Sequence, residues 1–323
     1  MHTLKTLQGL FLEALSQNHF SGQPASLYEP VNYIMRLGGK RIRPVLALIA
    51  CDLFGEDPHK ALPAAMAVEI FHNFSLVHDD IMDDAPLRRG QPTVHEKYSA
   101  NTAILSGDVM LVQAYQALEV VKDLQQKSDL FRVFSQVAVE VCEGQQMDMD
   151  FEKRETVAIQ EYVKMIELKT AALLAGSLQM GAILAGASPK EIHTLGQVGR
   201  NIGIAFQLQD DYLDTFGDPA FFGKKVGGDI VQNKKTYLFL KAMEIADDLQ
   251  RRELRTCYFE YQGTEEDKID KVKGIFESLG IKSSSKTLME SYKNDAMTLL
   301  ESLSNTRNEV LMELIEQLMV REI

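Results

Sequence analysis

Apolar residues recur along almost the whole chain at helical spacing, and alternating Val/Ile/Thr runs flanked by turns are scarce. Leu4, Leu7, Leu10, Phe11 and Leu15 outline a first amphipathic helix. Pro24 and Pro30 bracket the entry to a second, which ends near Gly38 and Gly39. Pro44 opens a third, because proline's missing N–H matters little in a first turn. The next helix runs from about 62 to 84 and is stopped by Pro86. Further helices are expected over 102–121, 128–151, 159–187, 189–216, 235–248 and 267–279. The stretch 216–228 reads as a loop and a candidate lid, and KSSSK at 282–286 as a polar loop before terminal helices. No linker rich in Pro, Gly or Ser divides the chain. The pattern predicts an all-α fold, with residues 1–323 forming a single large domain.

Composition narrows the function classes. The 323 residues are 45% hydrophobic and 25% charged, which supports a sizeable core rather than disorder. A net charge of -12 with no basic stripe argues against a nucleic-acid partner. Cys51, Cys142 and Cys257 are scattered, without a CxxC or Cys/His pattern. They read as buried thiols of a cytoplasmic protein, not as zinc ligands or disulfides. The start, MHTLKTLQGLFLEAL, lacks the long apolar core of a signal peptide. The most apolar stretch, 171–187, is short for a membrane span and contains Ser177 and Gln179. It is expected to be a helix packed inside the protein.

The chemistry concentrates in FHNFSLVHDDIMDDAPLRRG at 71–90. Asp79 and Asp83 lie about 40° apart on a helical wheel, on one face. Carboxylates stacked in this way repel each other unless cations stand among them. All-oxygen donors beside a phosphate site suit Mg²⁺. One acidic cluster alone is usually a solvated face. A second copy, AFQLQDDYLD, repeats the DDxxD spacing at Asp210, Asp211 and Asp214 and also follows an apolar helical run. Two copies in helical context point to metal binding, with a polyphosphate between facing helices.

The paired motifs resemble those of the trans-isoprenyl diphosphate synthases. So do GGKRIRP at 38–44, RRG at 88–90, ELKT at 167–170 and KVGGDIVQNKK at 225–235, in family order. The resemblance implies a large helical bundle around a central cavity, the isoprenoid synthase fold. It implies head-to-tail condensation of isopentenyl diphosphate with an allylic diphosphate, whether dimethylallyl, geranyl or farnesyl, assisted by Mg²⁺. A homodimer is the family's habit. The metal ligands implied are Asp79, Asp80 and Asp83, with Asp84 supporting, and Asp210, Asp211 and Asp214. Gln207 shares the Asp210 face and is expected to bond the metal shell or a phosphate-bound water. Lys40, Arg43, His72 and Arg89 are assigned to isopentenyl diphosphate, and Arg88, Lys169 and Thr170 to the allylic substrate. Lys225 and Lys234 are expected to close over the diphosphate, with Lys224 an alternative to Lys225. No Glu or His stands out as a general base, in keeping with proton removal by the released diphosphate.

Product length is expected to depend on Phe74 and Ser75, five and four residues before the first aspartate. One aromatic with a small neighbour resembles the geranylgeranyl (C20) pattern, with farnesyl (C15) next. A plain wheel puts Phe74 about 140° from Asp79 and Phe71 nearer, so the floor is Phe71, Phe74 or a residue of another helix. The alternative is a non-catalytic subunit of a heteromeric synthase. Such subunits lose motif residues that this chain keeps.

Overall fold

The computed structural model describes residues 2–218, 226–303 and 307–319. Its described residues fall into two compact units, each assembled from separate stretches of chain.

The first unit takes in Met1–Gln136, Gly176–Gly196 and Leu303–Leu311. Thr3 Oγ1 accepts the Thr6 N–H and so starts α1 (Leu4–Gln17), which buries Leu4, Leu7 and Phe11. Next come α2 (Ala25–Arg36), α3 (Ile42–Leu53) and α4 (Leu62–Met82). Pro30 lies inside α2, not ahead of it as expected. Pro24 alone marks the start, and burial of Val31, Ile34 and Met35 offsets the hydrogen bond that Pro30 cannot make. Helix α4 is the centre of the unit. It packs most extensively on α6 (Ala100–Glu119), then on α3, and buries Val68, Ile70, Phe71, Phe74 and Val77.

Between α4 and α6 the chain makes a hairpin, β1 (Leu87–Arg88) and β2 (Gln91–Pro92), and a short α5 (Val94–Lys97). Sequence pattern did not predict the hairpin. Its turn residues, Arg89 at φ 53 and Gly90 at φ 74, both have the positive φ of a two-residue type I′ turn. Asparagine or aspartate is the usual first residue of such a turn, so an arginine there hid it.

The second unit takes in Val137–Ala175, Gln197–Ser302 and Met312–Ile323. Helices α7 (Leu124–Lys153), α9 (Ala172–Leu184) and α10 (Pro189–Phe216) each supply residues to both units. The single helix expected over 159–187 is α8 (Ile159–Ile166), a π turn at Glu167–Ala171, and α9. The π turn lies against two glycines: a Cβ on Gly144 would strike the Lys169 backbone, and one on Gly203 would strike Ala171. Helix α9 is buried, and no helix of the described residues is long and apolar enough to cross a membrane.

Five helices follow: α11 (Gly228–Val231), α12 (Tyr237–Ile245), α13 (Asp248–Phe259), α14 (Glu265–Ser278) and α15 (Ile281–Glu301). The last described helix is α16 (Glu309–Met319). The KSSSK segment is helical, contrary to expectation. Ile281, Ser285 and Met289 form a buried stripe at helical spacing, in which Ser285 stands where an apolar residue usually would. Cys51 and Cys257 are buried, and burial pushes the Cys51 thiol up to about 12. Cys142 is exposed, against the expectation for all three, because it lies on the outward side of α7.

Candidate active site: two aspartate clusters

In the first unit, α4 ends at Met82, so Asp79 and Asp80 are helical while Asp83 is the cap and Asp84 turns out at φ 48. Asp83 is exposed, and the Asp79 side chain is partly exposed. Asp80 is buried. Arg88 reaches back from the hairpin and donates from Nε to both Asp80 oxygens, at 2.9 and 2.8 Å. Its Nη2 stands 2.7 Å from Asp80 Oδ1 and 4.0 Å from Asp79 Oδ2. The guanidinium is therefore docked on the motif by the protein's own carboxylates.

Arg89 donates to the Gly38 carbonyl and lies against Gly39, whose φ of 123 and lack of a side chain admit it. Burial and the nearby Arg41 charge lower its pKa. The hairpin turn thus meets the GGKRIRP segment. Within that segment Arg41 turns inward to Glu69 and the Met35 carbonyl. Lys40 is exposed. Arg43 Nη1 donates to His72 Nε2 at 3.2 Å. Since guanidinium has no acceptor, His72 Nε2 must carry its lone pair. Burial, then the charges of Arg43, Arg89, Arg88 and Arg41, hold the imidazole well below its ordinary range and keep it neutral. Arg43, His72, Arg88 and Arg89 are thus brought into one basic cluster beside the first motif, and Lys40 is exposed next to Gly39 in the chain.

One face of α4 also carries the chain-length candidates. Phe71 is fully buried against Phe74 and Phe134, each with ring centroids 5.4 Å away. Phe74 also packs edge-on to His78, at 4.7 Å. Ser75 is half-buried, and its hydroxyl donates to the His72 carbonyl at 2.9 Å.

In the second unit, α10 continues to Phe216, so Asp210, Asp211 and Asp214 are all helical. Asp211 is buried. Gln207 Nε2 donates to its Oδ1 at 2.9 Å, and the Tyr162 hydroxyl donates to its Oδ2. Thr170 Oγ1 donates in turn to Gln207 Oε1 at 3.0 Å. Burial and the Asp229 charge push the Asp211 carboxyl well above its ordinary range despite both hydrogen bonds. Burial and the Asp211 charge likewise raise the Tyr162 phenol. Lys169, on the π turn, donates to Asp148 at 2.6 Å. Asp214 accepts the Asp229 N–H at 2.9 Å, and Lys234 Nζ lies 3.5 Å from Asp229. Thr170, Gln207 and Asp211 are therefore joined in one hydrogen-bonded chain, Asp214 and Lys234 meet at Asp229, and Lys169 pairs with Asp148. Lys224 and Lys225, with most of the loop that was read as a lid, lie outside the described residues.

Sequence reasoning missed Tyr162 and Asp148. Tyr162 sits in an ordinary amphipathic helix, and Asp148 in an acidic stretch of α7 that reads as solvated. Nothing in the local pattern singled out either.

Residues 24–279 match the family model described as polyprenyl synthetase. The chain belongs to the polyprenyl synthetase family. It is 44% identical over 231 residues to the short chain isoprenyl diphosphate synthase of Methanothermobacter thermautotrophicus, covering 72% of this chain and 71% of that one. It is 40% identical over 239 residues to the geranylgeranyl diphosphate synthase of Sulfolobus acidocaldarius, covering 73% and 72%. A solved geranylgeranyl pyrophosphate synthase superposes with a TM-score of 0.94 at 48% identity, covering 99% of both chains. The helices of this synthase are those of the isoprenoid synthase fold, and the enzyme is a short-chain trans-prenyltransferase. The family's substrates are isopentenyl and allylic diphosphates, and its members generally use a divalent metal. All three relatives are named as synthases, which leaves the alternative of a non-catalytic subunit without support.

Proposed function

We propose that this enzyme makes geranylgeranyl diphosphate, C20, by successive addition of isopentenyl diphosphate to allylic primers with Mg²⁺. The observation that carries the product length is the α4 face: a small Ser75 beside Phe74, whose ring is locked between Phe71 and His78. Ser75 leaves room for a growing chain, and the clamped rings end that room. The C20 names of two relatives support the same length.

The donors suit Mg²⁺. Both motifs offer only carboxylate oxygens, and in the second a buried carboxyl faces the Asp229 charge with only neutral donors on it. Asp79, Asp80 and Asp83 would hold ions at the first motif, and Asp210, Asp211 and Asp214 at the second. When bound, Mg²⁺ draws negative charge from the leaving diphosphate. Arg88 and Lys169, with Lys225 and Lys234, bind that diphosphate, while Gln207 orients Asp211. Thr170 lies near the reacting carbons. Lys40, Arg43 and Arg89 bind isopentenyl diphosphate, and neutral His72 lends it a hydrogen bond. Water is excluded so that the allylic cation meets the isopentenyl double bond. The departing diphosphate takes the proton. We read the chain as one all-α domain, since the family match runs through both units, and as a cytoplasmic homodimer.

The experiment is product analysis with Mg²⁺, isopentenyl diphosphate and each allylic primer. Wild type should accumulate C20, Ser75→Phe should stop at C15, and Phe74→Ala should run longer. One common product from all three would place the floor elsewhere.

A further inference from the structure

Asp84 does not join the other aspartates of its motif. It lies with His95 and Glu96, the possible ligand atoms of all three being within 4.8 Å of one another. The histidine is the informative member. Its side chain is only 8% exposed, and its Nε2 is buried without a hydrogen-bond partner. Thr93, fully buried, donates its hydroxyl proton to the Ala85 carbonyl at 2.8 Å. Towards His95 Nδ1, 3.3 Å away, the same hydroxyl can only accept. Nδ1 therefore holds a ring proton, and in the neutral imidazole Nε2 holds the lone pair. That lone pair is aimed at carboxylates, with Glu96 Oε1 at 3.6 Å. A lone pair and carboxylate oxygens repel, and a shared cation removes the repulsion. A ring whose far N–H is fixed by a hydrogen bond is also how metal-binding histidines are oriented.

We propose that Asp84, His95 and Glu96 bind a divalent cation of the zinc class, separate from the two aspartate motifs. One imidazole nitrogen and two carboxylates leave a fourth, tetrahedral position for water. With metal–ligand bonds of about 2.0–2.2 Å, donors stand roughly 3.4 Å apart. The exposed Asp84 and Glu96 side chains can close to that spacing around the fixed imidazole. The position gives the ion a purpose. Asp84 follows the Asp83 cap of α4, and His95 and Glu96 belong to α5, so the ion would tie together both ends of the hairpin that carries Arg88 and Arg89.

The test uses the full-length protein, loaded with Zn²⁺ in a large excess of Mg²⁺ to fill all-oxygen sites, then dialysed and analysed for metal. Wild type should retain a single equivalent of Zn²⁺. Glu96→Gln, an exposed and isosteric change, should weaken retention at least about tenfold. Asp84→Asn should act similarly, since asparagine tolerates the same positive φ. Asp79→Ala should retain Zn²⁺ as wild type does. The proposal is overturned if wild type keeps no Zn²⁺, or if Glu96→Gln and Asp84→Asn keep it unchanged. Loss of the ion in Asp79→Ala with retention in Glu96→Gln would assign it to the first motif and overturn the proposal equally.

Discussion

The two aspartate motifs share a spacing and differ in what faces their buried member. In the first, Asp80 is met by a guanidinium, with Arg88 Nε within 2.9 Å of both oxygens. In the second, Asp211 is met by an amide and a phenol, and its carboxyl is driven up by burial and by Asp229. The cause is local chain geometry. Helix α4 stops at Met82, and the chain then folds back through a hairpin that delivers an arginine. Helix α10 runs on beyond its motif to Phe216, so its aspartates stay on the helix, and Asp211 meets Gln207 and Tyr162 there. Motifs of one spacing thus stand in different electrostatic surroundings. The first is already neutralised in part from within the protein. In the second, the buried carboxyl is met by an amide and a phenol instead.

The largest effect should come from removing a second-motif ligand. Asp210→Ala should lower turnover about 10²–10³-fold, comparable with losing a preorganised charge stabiliser, while circular dichroism stays unchanged. Arg88→Ala should act on stability as well as rate, because it strands the buried Asp80 charge. The cost should be roughly 2–3 kcal/mol in denaturant unfolding, below that of a fully buried pair because the Arg88 side chain is 24% exposed. Asp211→Asn should cost far less stability, or none. Equal destabilisation by the two changes would erase the contrast. Tyr162→Phe should raise the Mg²⁺ requirement about tenfold, the low end for a residue that orients a metal ligand.

The smallest effect concerns pH. His72 has a folded pKa below its unfolded value of about 6.5, so the unfolded chain binds the proton first. Its contribution to stability is complete above that value. It is lost as pH falls below about 6.5, with a slope of up to about 1.4 kcal/mol per pH unit, until the folded pKa is reached. In His72→Gln this acid-side slope should disappear from unfolding curves measured between neutral and mildly acid pH.

Much of the fold was readable from the chain because helical periodicity is a local property. The apolar stripe of α1 and the bounds of α10 needed no tertiary knowledge. The errors occurred where packing overrides composition. Ser285 fills a buried helical position that serine rarely marks, and Pro30 is tolerated within α2 by its buried neighbours. The break at Glu167–Ala171 depends on contact with glycines of distant helices, which no local window contains. The candidate site followed the same rule. Its aspartates and basic segments are visible as motifs. Tyr162 and Asp148 matter only because the fold brings them to Asp211 and Lys169.

Both motifs are proposed to hold the Mg²⁺ that serves prenyl transfer. The most direct test is the Mg²⁺ concentration giving half-maximal turnover, with both diphosphates saturating, for wild type, Asp79→Asn and Asp210→Asn. A chelator should abolish turnover in wild type, and each variant should need at least about ten times more Mg²⁺. An unchanged Mg²⁺ requirement in either variant would contradict the account for that motif.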